Sequence, residues 1–168
     1  KEGFVKAFLS KDDFSYVSKK YKYILTSEDF IKRAEYMAWE NEYWELKKTI
    51  PYLPKNYKEL YFARFSLMTR SYGVDSAINK VPKNMISNVG LQYDRMKWRR
   101  KRGRYDSALE IINIYTNEPE KLVKPELWFK EKLIIARKKI DQKKYDEAYR
   151  LLTNHGITEK AELADAEW

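Results

Sequence analysis

The feature that most constrains this chain is a self-similarity: Tyr105-Asp106-Ser107-Ala108 recurs as Tyr145-Asp146-Glu147-Ala148, 40 residues further on. Apolar residues follow each tyrosine at offsets of three, four, six and seven: Ala108, Leu109, Ile111 and Ile112 in one copy, Ala148, Tyr149, Leu151 and Leu152 in the other. That spacing covers one face of a helix and does not alternate as a strand would. A small alanine at the first of these positions lets a neighbouring helix approach closely. A longer helical pattern precedes each copy, over residues 91–102 and 126–142, so the repeating unit is a helical hairpin. A period near 40 belongs to helix-pair arrays and exceeds the ~34 residues of tetratricopeptide repeats. Looser versions at Asn41-Glu42-Tyr43-Trp44 and Gly73-Val74-Asp75-Ser76-Ala77 extend the hairpins towards the N-terminus. The expected fold is all-α: a right-handed α-superhelix of stacked helical hairpins, an α-solenoid, with residues 1–168 as one segment of it. An irregular helical domain is the competing architecture.

The rest of the chain agrees with a helical reading. Five glycines, five prolines and no sustained period-2 alternation argue against a turn-rich β fold. About nine or ten helices fit the pattern of breaks. Thr26 or Ser27 caps a helix whose first turn holds Glu28 and Asp29, placed favourably at the positive end of the dipole, and whose buried stripe is Phe30, Ile31, Ala34, Met37 and Ala38. Pro54 stands near the start of another, with Tyr57, Tyr61, Phe65 and Met68 at helical spacing and Leu60 and Leu67 beside them, a stripe wide enough for contact on two sides. No apolar run approaches the ~18–20 residues of a membrane span. The chain opens on Lys1 without a secretory-signal pattern and stops at Trp168, which predicts that it has lost a targeting signal or been cut from a longer polypeptide.

Most catalytic chemistries find no support. The five glycines form no dinucleotide-binding, Walker A or nucleophile-elbow pattern. With no cysteine and His155 as the one histidine, neither an ordinary zinc site nor a paired-histidine metal motif can be assembled. No cofactor or metal is expected. His155, between Asn154 and Gly156, reads as part of a helix C-terminal cap. Glu159, Glu162, Asp165 and Glu167 read as the solvated face of a helix capped by Thr158, with an acid/base pair as the lesser alternative.

The net charge of +9 points to an anionic partner. Its densest source is Lys97-Trp98-Arg99-Arg100-Lys101-Arg102-Gly103-Arg104. Arg99, Arg100 and Arg102 are the candidate substrate-binding residues, able to engage phosphates or carboxylates while the indole stacks on a base or sugar. The same run also reads as the basic last turn of a helix closed by Gly103, with Trp98 turned to the core.

Three stretches together resemble the helical, non-catalytic region of the soluble lytic murein transglycosylases. The first is Leu25-Thr26-Ser27-Glu28-Asp29-Phe30-Ile31-Lys32-Arg33, where Ser27 replaces the family's proline. The second is Gly90-Leu91-Gln92-Tyr93-Asp94-Arg95-Met96-Lys97-Trp98-Arg99-Arg100, followed by Gly103 and the Tyr105 helix. The third runs from Trp128 through Ala136-Arg137 and Ala148-Tyr149-Arg150-Leu151 to Asn154-His155-Gly156-Ile157-Thr158, then Ala164-Asp165-Ala166-Glu167-Trp168. The resemblance covers most of the chain from Leu25 onwards and leaves the first 24 residues unplaced. It implies an α-superhelix, a periplasmic location and peptidoglycan as partner, within a parent enzyme that cleaves between N-acetylmuramic acid and N-acetylglucosamine. In that family a glutamate followed by serine, in a lysozyme-like domain, performs the cleavage. No glutamate here is followed by serine, so no catalytic residue carries over and the catalytic domain is expected to be absent from this chain. The competing functions are a helical-repeat adaptor that binds a protein or peptide and, on charge alone, a nucleic-acid binder; the resemblance argues against nucleic acid.

Overall fold

The computed structural model describes residues 1–116, 118–153, 155 and 157. Among the described residues every regular element is helical: ten α-helices and three 3₁₀ turns. None of the helices is long and apolar enough to cross a membrane. The chain divides into two compact units, residues 1–91 and 92–168.

The first unit contains α1 (Glu2–Lys6), α2 (Lys11–Lys20), α3 (Ser27–Trp39), α4 (Tyr43–Thr49), α5 (Lys55–Thr69) and α6 (Val74–Asn79). Thr26 is the cap of α3. Its amide donates to the Asp29 carboxylate at 2.8 Å, the return half of a capping box, and its hydroxyl donates to the same carboxylate at 2.9 Å. Those bonds, the backbone one foremost, with the Lys1 ammonium 3.1 Å away, hold the Asp29 carboxyl down at about 2. The buried face of α3 carries Phe30, Ala34, Met37 and Ala38 as the periodicity predicts, with Ile31 only half-buried. It also buries Arg33 and Trp39, which the apolar pattern omits. Phe4, Phe14, Phe30 and Tyr52 form an aromatic cluster at centroid separations of 5.1–6.5 Å. Of the eight successive positions Leu60 to Leu67 of α5, seven are buried and only Phe62 is exposed, while Tyr57 and Met68 at the ends of the expected stripe are half-buried; burial on this scale is that of a helix touched on two sides.

A polar knot joins α3 to α5. The Glu35 carboxylate accepts from the Trp39 indole (2.6 Å), the Tyr61 hydroxyl (2.5 Å) and the Arg64 guanidinium (3.2 Å). Burial and the neighbouring Glu35 charge push the Tyr61 hydroxyl well above the usual tyrosine range. Arg64 lies against the rings of Trp39 and Tyr61, 5.1 and 5.8 Å from their centroids. A Cβ at Gly90 would meet the Arg64 guanidinium, so a larger residue there requires that buried side chain to shift.

The second unit opens within α7 (Val89–Lys101) and continues through α8 (Tyr105–Thr116), α9 (Pro125–Asp141) and α10 (Tyr145–Leu152). These are the two hairpins read from the repeat, with helix ends within two residues of the expected ones. Trp128 is fully buried between Tyr93 and Tyr115, at 5.4 and 5.0 Å between centroids. Ala108 and Ala148 are both buried, as close helix approach requires, whereas Tyr149 is 73% exposed.

The turns repeat more faithfully than the helices do. In the α7–α8 turn Gly103 has φ 73°, its amide donates to Arg100 O at 2.9 Å, and the Arg104 amide donates to Arg99 O at 3.0 Å. In the α9–α10 turn Lys143 has φ 59°, with the same bonds from Lys143 to Ile140 O (2.8 Å) and from Lys144 to Lys139 O (2.9 Å). The α3–α4 turn repeats both bonds around Asn41, φ 61°, so the looser copy at Asn41 shares the turn and carries Leu46 where the others have alanine. This is the Schellman closure, in which a left-handed residue satisfies the last carbonyls of a helix. At the Gly73 copy, Arg70 (φ 54°) closes α5 and residues 71–73 intervene before α6, so the spacing is not kept.

The left-handed position is strained for lysine and free for glycine. Lys143→Gly is expected to stabilise the chain by about 0.5–1 kcal/mol, and Gly103→Ala to destabilise it by about 1 kcal/mol, both read from urea midpoints. Equal effects of the same sign would contradict this account of the turns.

Candidate functional site

The basic run at the end of α7 divides into two sets of side chains. Successive helix positions point about 100° apart, so a run of cations cannot face one way. Arg100 points inward: its Nε and Nη2 both bond the Glu131 carboxylate, the latter at 3.0 Å, and the pair is largely buried. Arg99 donates to Ser107 O at 2.6 Å and lies 3.6 Å from Glu110, tying α7 to α8. Arg102 and Arg104 are exposed and lie against the Trp98 ring, at 4.7 and 5.6 Å from its centroid. Lys97 lies over Tyr93 at 5.5 Å.

Of the three arginines expected to bind substrate, Arg99 and Arg100 therefore hold the hairpins together, and Arg102 faces solvent. Trp98 is half-buried, with its indole nitrogen enclosed and without a hydrogen-bond partner among the described residues. Its ring serves as a platform for guanidinium groups.

Beside this run the two hairpin turns enclose a polar pocket of about 330 Å³. One turn contributes Gly103, Tyr105 and Asp106; the other contributes Lys138, Lys139, Gln142 and Lys144. Lys139 is buried and its ammonium is held by Glu147 at 2.7 Å, with Asp106 at 3.7 Å. The Glu147 bond comes first in raising the Lys139 pKa above the ordinary lysine value, so the ammonium stays charged. Lys144 also reaches Glu147, at 3.3 Å. The concavity holds three lysines, an amide and a phenol against the Asp106 carboxylate, and with Lys139 and Lys144 sharing Glu147 it is Lys138 that is left to meet carboxylate or phosphate oxygens carried on a polymer. The basic run 97–104 does not include these lysines, although the doubled turn was their signal: the repeat sets Gly103, Tyr105 and Asp106 of one turn beside Lys138, Lys139 and Lys144 of the other.

His155 accepts from the Ile157 amide through Nδ1 at 3.0 Å and its ring meets Phe129 at 5.7 Å. The flanking Asn154 and Gly156 of the expected cap, and Thr158, Glu159, Glu162, Asp165 and Glu167, lie outside the described residues. So do most of the residues that close the third family-like stretch. Among the described residues no three histidine or carboxylate side chains cluster as metal ligands.

Compared with known proteins, the chain matches no family model, no curated protein and no solved structure.

Proposed function

We propose that this chain is a non-catalytic helical scaffold segment of a peptidoglycan lytic transglycosylase, periplasmic in location, which holds murein glycan strands for the catalytic domain of that enzyme. What supports this reading is the resemblance of the three stretches, in their order and approximate spacing. The single structural observation that favours strand binding is the pairing of exposed Arg102 and Arg104 with the lysine-lined pocket of the hairpin turns. Peptidoglycan stems carry carboxylates, and a weak, many-contact hold lets a strand slide and be released. In this reading the hairpins stack into a right-handed superhelix, and the helix turns along one edge present the cations.

The expected result is salt-sensitive sedimentation of the chain with murein sacculi, weakened about three- to tenfold by Arg102→Gln with Arg104→Gln at low ionic strength. Arg100→Gln, by contrast, is expected to lower stability through Glu131. Binding that ignores both salt and the double substitution would remove this surface from the account. Release of anhydro-muropeptides by the purified chain would overturn the scaffold assignment itself.

A further inference from the structure

The first unit carries a second surface, in the stretch for which the family resemblance gives no counterpart. Between residues 14 and 27 the chain has Lys19, Lys20 and Lys22 and no carboxylate. Tyr16, Tyr21, Tyr23 and Ile24 in this stretch are 58, 40, 89 and 55% exposed. Lys20 donates to the Tyr16 hydroxyl at 2.8 Å and sits over the rings of Tyr16 and Tyr21; Lys22 sits over Tyr23 at 4.7 Å. Beside this cluster is a cavity of about 390 Å³ with walls from Phe4, Leu9, Val17, Ile24 and Leu25. Tyr21 and Ile24 belong to both the cavity wall and the exposed cluster.

The combination selects an amphiphile. The one charged residue of the cavity wall, Lys1, is engaged by Asp29, so the walls offer almost nothing to the hydroxyls of a sugar. The tyrosine faces are already occupied by ammonium groups, which disfavours stacking of a nucleobase. An apolar recess beside lysines and phenols matches instead a ligand with a hydrocarbon tail and an anionic head. Tyrosines are enriched at the level of lipid headgroups, and lysines at that depth are drawn to anionic lipids.

We propose that the segment from Tyr16 to Ile24 docks on the surface of an anionic phospholipid bilayer, with Tyr23 and Ile24 entering the interface and an acyl chain taking the cavity. This contact lies on the surface and requires no membrane span. It also stands independently of the murein assignment, since it uses different residues and a different unit.

The test is flotation of the full chain with vesicles of mixed phosphatidylglycerol and phosphatidylcholine, and with vesicles of phosphatidylcholine alone. Binding is expected only to the mixed vesicles. Lys20→Ala with Lys22→Ala is expected to weaken it about tenfold, and Tyr23→Ser with Ile24→Ser by a similar factor. Both pairs are exposed, and unchanged far-UV circular dichroism checks that the helices persist. Three outcomes overturn the proposal: no binding to either vesicle, as for a surface made for a protein; equal binding to both; or binding lost with Arg102→Gln and Arg104→Gln while both N-terminal variants retain it.

Discussion

Replacing Glu45 with alanine is expected to destabilise the first unit by about 3–5 kcal/mol, measured as a lower urea midpoint with an unchanged m-value. The reason is the neighbour it would strand. Arg33 has no exposed surface, and its guanidinium lies 5.1 and 5.2 Å from the ring centroids of Phe4 and Phe14. One arm donates to Phe4 O and the other to Glu45 at 2.7 Å. Burial pulls the Arg33 pKa below its usual value and Glu45 opposes that pull. Without the carboxylate, the cation remains enclosed among α1, α3 and α4 with one backbone carbonyl as partner. Lys48, which also bonds Glu45, is left at the same time with the Leu9 carbonyl and no counter-charge there. Arg33→Met combined with Glu45→Leu removes both charges and is expected to recover most of the loss, because paired charges contribute little beyond an apolar pair of similar volume. A double variant as unstable as the single one would show that the bonds to Phe4 and Leu9 matter more than the charge balance.

The distinction between what could be read from the sequence and what could not follows the range of the interactions. Helix ends are local events. Gly103 before Tyr105-Asp106, and the matching turn before Tyr145-Asp146, announce a left-handed closure followed by a new helix, and the bonds of those turns agree. Burial of apolar stripes is nearly as local, since helical periodicity alone places Met37 or Ile112 inward. Charged residues give no such sign. Arg33, Arg64, Glu131 and Lys132 look like solvent-facing positions until the helices packed over them are known, and all four are buried. The candidate site shows the same limit: composition identifies Lys97 to Arg104 as basic, but tertiary partners decide that Arg100 turns to Glu131 while Arg102 turns to solvent. Lys138, Lys139 and Lys144 become part of a pocket only when one turn stands beside the next.

Lys132→Met is expected to act in the opposite direction from Glu45→Ala, stabilising the second unit by on the order of 2 kcal/mol at neutral pH. Lys132 is 2% exposed on the inner face of α9, one turn from fully buried Trp128 and from Ala136, and its ammonium has no hydrogen-bond partner among the described residues. Burial is the one cause acting on its pKa, and it lowers it from the ordinary lysine value. Because the folded pKa lies below the unfolded one, the unfolded chain binds more protons between the two. Stability therefore rises as pH increases through that interval, and the penalty is fullest below the folded pKa. Methionine fills a similar volume without a charge, so it removes both the penalty and this part of the pH slope. Thermal unfolding of the two proteins from neutral pH towards pH ~10, near the ordinary lysine pKa, tests both parts. The gap between the curves is expected to narrow as pH rises. A variant less stable than the parent, or a gap that widens with pH, would mean that the Lys132 ammonium is compensated within the fold.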